Sequence, residues 1–194
     1  LGLCGLYYIV TGIQYWVTDY LVTDLSYPEA KVQITFGIVS ITGPVLGIII
    51  GGNVSAALGG IHEKKTLYVA LFVSLLALMA GVPVPFLTNF WGIIALLWLL
   101  LFFGGSLMPW LTGVLLATVP KDQIATANSI ANLGYNLIGY LPAPVVYGCI
   151  YDAGTGGNAR VAMASLMFTT AIPVLVLCIA SYYLVRDNVL GYDK

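Results

Sequence analysis

The chain is dominated by long apolar runs that follow one another with only short connections between them. A membrane-spanning helix needs about 20 consecutive apolar residues to cross about 30 Å of hydrocarbon. Runs of that length lie near 1–21, 33–57, 66–87, 91–118, 125–151 and 160–185. The sequence therefore predicts an integral membrane protein in which six helices span the bilayer and neighbouring helices run antiparallel.

Composition supports a membrane protein and argues against soluble classes. Of the 194 residues, 60% are hydrophobic and only 8% are charged, whereas soluble domains carry about 25% charged residues. The net charge of −1 gives no electrostatic footprint for nucleic acid. We expect a single all-α bundle over residues 1–194, multi-pass and in contact with membrane lipid, in the plasma membrane or in an organelle.

Metal, cofactor and catalytic signatures are missing from the sequence. Cys4, Cys149 and Cys178 do not have metal-ligand spacing, and His62 cannot complete a zinc or haem site alone. No histidine stands beside a nucleophile, no two carboxylates share one helix face, and no phosphate-binding glycine loop follows a strand. We expect no enzyme, no cofactor and no metal centre.

The few basic residues predict the orientation, because Lys and Arg concentrate in cytoplasmic loops. Five fall on one predicted side of the membrane: Lys64, Lys65, Lys121, Arg186 and Lys194. Lys31 and Arg160 fall on the other side. Both ends of the chain are predicted on the five-charge side, which in an organelle is the side from which the protein inserts.

Polar residues are distributed unevenly among the predicted helices. The first, second, fourth and fifth helices carry them, while the third and sixth have only scattered hydroxyls, as expected of helices that face lipid. The distribution predicts two triplets, each with two inner helices and one outer helix at 66–87 or 160–185.

The first predicted helix carries a polar stripe. Its members recur at spacings of three and four and share one helix face: Tyr8, Thr11, Gln14, Tyr15 and Thr18. Asp19 lies beside this stripe. Either Asp19 belongs to an interfacial belt with Trp16 and Tyr20, or its carboxylate faces a water-filled cavity and binds a coupling proton or cation.

The fifth predicted helix carries an asparagine ladder at helical spacing. Its members are Asn128, Asn132, Tyr135, Asn136 and Gly139. The amides either bind neighbouring helices, at about 1 kcal/mol each, or line an aqueous path beside the stripe of the first helix. Pro142 and Pro144 predict a break or kink towards the far end of this helix.

Small residues and prolines predict close packing and bends in two other helices. The four-residue spacing of Gly43, Gly47 and Gly51 lets a neighbouring helix approach to backbone contact, and Pro44 should bend the same helix. A similar weak point in the fourth helix comprises Gly104, Gly105 and Pro109. These positions act either in packing alone or as hinges in gating.

Two segments resemble one transporter superfamily. The stretch "NLIGYLPAPVVYGCIYD" (136–152) is similar to the penultimate helix of spinster-like and organic-anion-transporting members of the major facilitator superfamily. The recurring glycines, prolines and terminal aspartate would be Gly139, Pro142, Pro144, Gly148 and Asp152. The loop "GGNVSAALGGIHEKK" (51–65) resembles the loop signature of the superfamily, with Ala56 and Ala57 in place of its acid and base.

The resemblance implies the C-terminal six-helix half of a secondary-active solute transporter. Such a half consists of two three-helix repeats, and the solute binds near the bilayer midplane between this half and an N-terminal half. We expect the chain to belong to a larger protein, because it opens on an apolar run without an initiator Met. No Lys or Arg lies inside the predicted spans, which favours a neutral, amphipathic or cationic small-molecule solute over an anionic one.

The alternative is a structural or accessory subunit without transport activity. In that case a transporter-derived bundle packs against other subunits of a larger membrane complex, such as an organellar inner-membrane assembly. Its polar stripes would then contact protein or lipid instead of a solute.

Overall fold

The computed structural model describes residues 2–60, 63–153 and 159–186, so that His62 and Lys194 lie outside the described residues. Within these ranges all regular structure is helical, which confirms the all-α class. Four described helices are long and apolar enough to cross a membrane: Glu29–Ala57, Lys64–Phe86, Phe90–Ala117 and Ala159–Tyr183. These helices indicate a membrane protein.

The helices follow one another along the chain with short turns between them. The first half contains α1 (Gly2–Asp19) with a π-helical extension (Tyr20–Asp24), α2 (Glu29–Ala57), α3 (Lys64–Gly81) with a 3₁₀ turn (Val84–Phe86), and α4 (Phe90–Ala117). The second half contains a 3₁₀ turn (Lys121–Gln123), α5 (Ile124–Gly134), a π-helical segment (Tyr135–Tyr140), α6 (Pro142–Ala153), α7 (Ala159–Phe168) and α8 (Ala171–Arg186).

The first and fifth predicted spans are helical, but neither is among the four helices named above. The polar stripe of α1 lowers its hydropathy, and the π-helical segment divides the fifth predicted span into α5 and α6. The last predicted span is also divided, since α7 and α8 meet at Thr169 and Thr170. Pro173 has no N–H to donate to the carbonyl of Thr169, which instead accepts from the amide of Ile172 at 3.0 Å.

The π-helical segment ends where the prolines of the fifth predicted span begin. The amide of Leu141 donates to the carbonyl of Asn136 at 3.0 Å, five residues back. Pro142 is the first residue of α6 and Pro144 the third. The amides of a first helical turn have no intrahelical partner, so that prolines are tolerated there. The predicted break is therefore the start of a new helix.

Two helix pairs organise the bundle. The most extensive contact joins α2 to α4, while α1 packs against the π-helical segment and α6. The helix α3 packs between α4 and α8, and α7 packs against α6. The largest fully buried side chains come mainly from α1, α4 and α7 and include Ile13, Ile93, Leu97, Leu101, Met163 and Leu166.

The spans predicted to lie outermost, 66–87 and 160–185, correspond to α3 and to α7 with α8. Half of the residues of α7 are buried, so that only the α8 part of the last span is peripheral. Both α3 and α8 expose an apolar stripe. On α3 the stripe comprises Tyr68, Phe72, Leu75 and Met79, and on α8 it comprises Ile172, Leu175, Ile179 and Tyr182. The helix α2 is also peripheral, because only 28% of its apolar window is buried, against 39% for α3 and 56% for α4. The distribution of polar residues predicted α2 as an inner helix, but within this chain α2 is covered on one side alone.

Glycines on α2 set its contact with α4. A methyl group on Gly47 would lie 2.1 Å from the carbonyl oxygen of Phe102, and one on Gly51 would lie 2.3 Å from that of Ser106. Gly43 also faces α4, with the carbonyl oxygen of Trp98 at 3.3 Å from such a methyl. The two backbones are thus in direct contact over two helical turns.

The two glycines at the bend predicted in α4 have different surroundings. A methyl on Gly105 would lie 2.7 Å from the carbonyl oxygen of Pro44, whereas one on Gly104 would meet no atom within 4 Å. Gly104 borders an apolar void of about 20 Å³ between α1, α3, α4 and α8. Both α2 and α4 continue as single helices through Pro44 and Pro109.

We expect Gly104→Ala to stabilise the bundle by about 1–2 kcal/mol, because alanine favours the helix by up to about 1 kcal/mol and its methyl enters the void. Gly37→Ala is the control, since Gly37 also has no atom within 4 Å of an added methyl but does not border the void. Thermal unfolding in detergent should show the larger gain for Gly104→Ala. An equal gain in the two variants would show that filling the void adds nothing.

Candidate functional site

An open groove of about 640 Å³ lies between the start of α1, the end of α4, and α5 with the π-helical segment. It is lined by Gly2, Leu3, Cys4, Leu111, Val114, Leu115, Thr118, Ala127, Ile130, Ala131, Gly134, Tyr135 and Ile138. None of these residues is charged. Its size suits a small molecule, and its walls suit the apolar part of one.

The asparagine ladder lies on the neighbouring face of α5 and the π-helical segment. Asn128, Asn132 and Asn136 are exposed, and each follows directly after one of the lining residues Ala127, Ala131 and Tyr135. Successive helical residues point about 100° apart, so that the three amides are turned away from the lining of the groove, which contains none of them.

The ladder amides are partly satisfied within their own helix. The Nδ2 atom of Asn132 donates to the carbonyl of Asn128 at 2.9 Å, and that of Asn136 donates to the carbonyl of Asn132 at 2.8 Å. The amide oxygens accept no described hydrogen bond in return, and they can accept one from a solute or from water.

Tyr135 does not share the exposed face of the ladder. It is buried, its ring stacks on Tyr7 of α1 with centroids 5.0 Å apart, and its hydroxyl has no hydrogen-bond partner in the described structure. Tyr7 also contacts Tyr140, at 4.9 Å. A methyl on Gly139 would lie 2.8 Å from the carbonyl oxygen of Cys4. Gly139 thus lets α1 approach this segment closely enough for the rings to meet.

The polar stripe of α1 runs from the interior to the surface. Tyr8 and Thr11 are half-buried, and the Thr11 hydroxyl is buried without a partner. Thr18 is half-buried, while Gln14 and Tyr15 are exposed. The structure therefore places only Gln14 and Tyr15 of the stripe on an open surface, about three helical turns along α1 from the groove.

Trp16 joins α1 to α6 and was not among the predicted site residues. Its Nε1 donates to the carbonyl of Pro144 at 3.2 Å, and its ring stacks on Tyr147 with centroids 4.6 Å apart. The sequence predicted Trp16 only as a membrane-interface residue. Its actual partner could not be identified without knowing that α6 packs against α1.

Two carboxylates lie at the end of α1. Asp19 is exposed and accepts a hydrogen bond from the Thr23 hydroxyl at 3.0 Å. Partial burial raises the pKa of the Asp24 carboxyl, and the nearby charge of Asp19 raises it further. No group of three or more His, Cys, Asp or Glu side chains gathers among the described residues.

Comparison with known proteins does not identify a family for this chain. No protein-family model matches the chain, and no curated protein or solved structure matches it either.

Proposed function

We propose that this chain is the C-terminal half of a secondary-active solute transporter that works by alternating access. The groove between α1, α4 and α5 carries this proposal. The exposed asparagines on the neighbouring face of α5 and the π-helical segment support a polar path beside it. In this proposal α1 and the α5–α6 segment cross the membrane together with the four apolar helices, giving a multi-pass protein with six spans.

The reciprocal packing of the helices supports two three-helix repeats. With α1–α3 as the first repeat and α4–α8 as the second, the first helix of each repeat packs against the middle helix of the other: α1 contacts the α5–α6 span, and α4 contacts α2. The last helices, α3 and α8, contact each other. Such an exchange is what an approximate two-fold relation between repeats produces, and major facilitator transporters contain repeats of this kind.

The exposed apolar faces of the two middle helices support a missing partner. On α2 such a face includes Ile34, Ile38 and Ile41, and on α5 and the following segment it includes Leu133 and Leu137. In this proposal an N-terminal six-helix half covers part of these faces and closes the groove. Lipid covers the rest.

The groove favours solutes without a negative charge. Its lining has no Lys or Arg to bind an anion, and the asparagines on the neighbouring face offer uncharged amide oxygens. A neutral, amphipathic or cationic small molecule fits these walls. Asp19, exposed at the other end of α1, is the proposed residue for a coupling proton or cation.

The loop between α2 and α3 is the observation that favours an accessory subunit instead. Ala56 and Ala57 occupy the positions of the acid and base that the superfamily signature carries, and both are exposed in the last turn of α2. A protein without transport activity would not need a charge pair there.

Transport by the complete protein that contains this chain tests the proposal. In liposomes with an imposed proton gradient, we expect uptake of at least one solute from a panel of radiolabelled neutral, amphipathic and cationic compounds. Asn132→Leu should reduce that uptake about fivefold, because losing one hydrogen bond to a solute costs about 1 kcal/mol. Ser129→Ala is the control, since the Ser129 hydroxyl bonds the carbonyl of Ala125 in its own helix. Absence of uptake across the panel, with correctly folded protein, would favour the accessory subunit.

A further inference from the structure

A second open groove, of about 450 Å³, lies on the outside of the α2–α4 pair near the start of α4. It is lined by Val39 of α2 and by Trp91, Ile94, Ala95, Trp98 and Leu99 of α4. None of these side chains is charged. The Nε1 atom of Trp98 donates to the Thr42 hydroxyl at 3.1 Å, so that the ring of Trp98 presents apolar surface to the groove. These walls suit a hydrocarbon chain.

The length and position of the groove match one leaflet of a bilayer. From Trp91 to Trp98 the groove follows α4 for about 10 Å, and one leaflet contains about 15 Å of hydrocarbon. Both α2 and α4 are long and apolar enough to cross a membrane. The helix α4 begins directly after the polar residues Thr88 and Asn89. The groove therefore starts near the membrane surface and runs into the hydrocarbon.

The groove is not on the isoleucine face of α2 that an N-terminal half would cover. That face comprises Ile34, Ile38 and Ile41, and Val39 is turned about 130° from it around the helix. Trp91 and Ala95 are exposed on the opposite wall. A partner on the isoleucine face thus leaves the groove open to lipid.

An ammonium group stands at the mouth of the groove. The Nζ atom of Lys31 lies 4.3 Å from the centroid of the Phe90 ring and 5.2 Å from that of Trp91, which is part of the lining. Tyr27 packs against Phe90, with centroids 5.0 Å apart. Aromatic rings attract a cation, but they supply no oxygen acceptor for the three N–H donors of the ammonium.

Lys31 has no ion pair with any residue that the structure describes. Glu29, the nearest acidic residue along α2, is about 160° away around the helix. Its carboxylate accepts a hydrogen bond from Nε2 of Gln33 at 2.8 Å. The apolar groove therefore has a positive charge at its membrane-surface end and no described counter-charge beside it.

We propose that the α2–α4 groove binds one anionic phospholipid of the surrounding membrane. One acyl chain lies in the groove between Trp91 and Trp98, and the headgroup phosphate accepts hydrogen bonds from the Lys31 ammonium. Lysine is a common phosphate ligand, and basic groups at the membrane surface attract anionic lipids. A zwitterionic headgroup brings its own cation, which offsets this attraction. The site lies outside the groove proposed for a solute and does not depend on the proposed transport function.

Photolabelling of the complete protein that contains this chain, reconstituted in phosphatidylcholine vesicles, tests the proposal. The probe is phosphatidylglycerol with a diazirine midway along one acyl chain, and phosphatidylcholine with the same diazirine is the comparison. Mass spectrometry of peptides locates the label. At equal mole fraction, we expect the phosphatidylglycerol probe to label residues 91–99 about fivefold more than the phosphatidylcholine probe, the equivalent of about 1 kcal/mol for one lysine.

Two pairs of variants separate the headgroup contact from the chain contact. Lys31→Met should abolish the fivefold preference and Lys31→Arg should keep it. Lys65→Met is the matched control, because Lys65 is exposed at the start of α3, and it should also keep the preference. Ala95→Phe should reduce labelling by both probes severalfold, because its ring would occupy the groove. Ala125→Phe, at an exposed position of α5, should leave labelling unchanged.

Three outcomes would overturn the proposal: no label on residues 91–99, which would show that protein covers the groove; equal labelling by the two probes, as expected of bulk lipid; or a preference that survives in Lys31→Met. Thermal unfolding in detergent checks that each variant is folded. If Lys31→Met does not fold, Ala95→Phe decides. Undiminished labelling of residues 91–99 in Ala95→Phe would also overturn the proposal.

Discussion

Gly47→Ala and Gly51→Ala are each expected to separate α2 from α4 and to destabilise the bundle by about 3 kcal/mol or more. The added methyl would lie 2.1 Å or 2.3 Å from a carbonyl oxygen of α4. Overpacking typically costs about 1–3 kcal/mol when side chains can rearrange. Here the opposing atoms belong to the backbone of a helix, which must move as a whole. Thermal unfolding of detergent-solubilised protein measures the loss.

Gly52→Ala is the matched control for this experiment. Gly52 is the next residue of the same helix, and an added methyl there would have its nearest atom, Cγ of Pro109, at an ordinary 3.9 Å. All three substitutions improve helix propensity equally, so that a difference between them reports the α2–α4 contact. Equal unfolding temperatures for Gly51→Ala and Gly52→Ala would show that the two backbones are not in contact.

Apolar run length predicted the long helices closely. The run 91–118 corresponds to α4 at Phe90–Ala117, and the run 33–57 to α2 at Glu29–Ala57. The early start of α2 escaped prediction because Glu29, Lys31 and Gln33 are polar. A charged first turn is nevertheless compatible with a helix, and the Gln33 side-chain amide bonds the Glu29 carboxylate at 2.8 Å.

Hydropathy could not show where a helix is interrupted. Pro173 divides the run 160–185 into α7 and α8, although the apolar character of the run continues through the division. A proline in a membrane helix either bends or interrupts it, and neighbouring helices decide which. The sequence named Pro142 and Pro144 but not Pro173 as a break.

The sequence predicted which residues of a helix make a contact, but it did not predict which helix they contact. The spacing of Gly43, Gly47 and Gly51 indicated backbone contact, but it could not name α4 as the partner. Tyr135 was assigned to the asparagine ladder although it is three residues from Asn132, which turns it about 60° away from that side chain. That rotation directs it towards Tyr7 of α1.

Asp24 shows a limit of helical periodicity. At 100° per residue it does not share a face with Asp19, so that helical periodicity predicts no paired carboxylates there. The π-helical turn changes the angular spacing of these residues. No feature of composition or hydropathy marks such a turn, and the acidic pair becomes visible only when the backbone is known.

Trp16→Ala is expected to destabilise the protein by about 3–5 kcal/mol, the usual loss for removing a large packed aromatic side chain. It removes both the stack on Tyr147 and the hydrogen bond to the carbonyl of Pro144. Trp16→Phe keeps a ring and loses the hydrogen bond, so that it should cost about 1 kcal/mol from that bond.

The control is Trp91→Ala, because Trp91 is 63% exposed and its nearby Lys31 ammonium contributes about 1 kcal/mol or less. Thermal unfolding in detergent should rank the variants with Trp16→Ala the least stable. If Trp16→Ala and Trp91→Ala unfold at the same temperature, then Trp16 does not join α1 to α6.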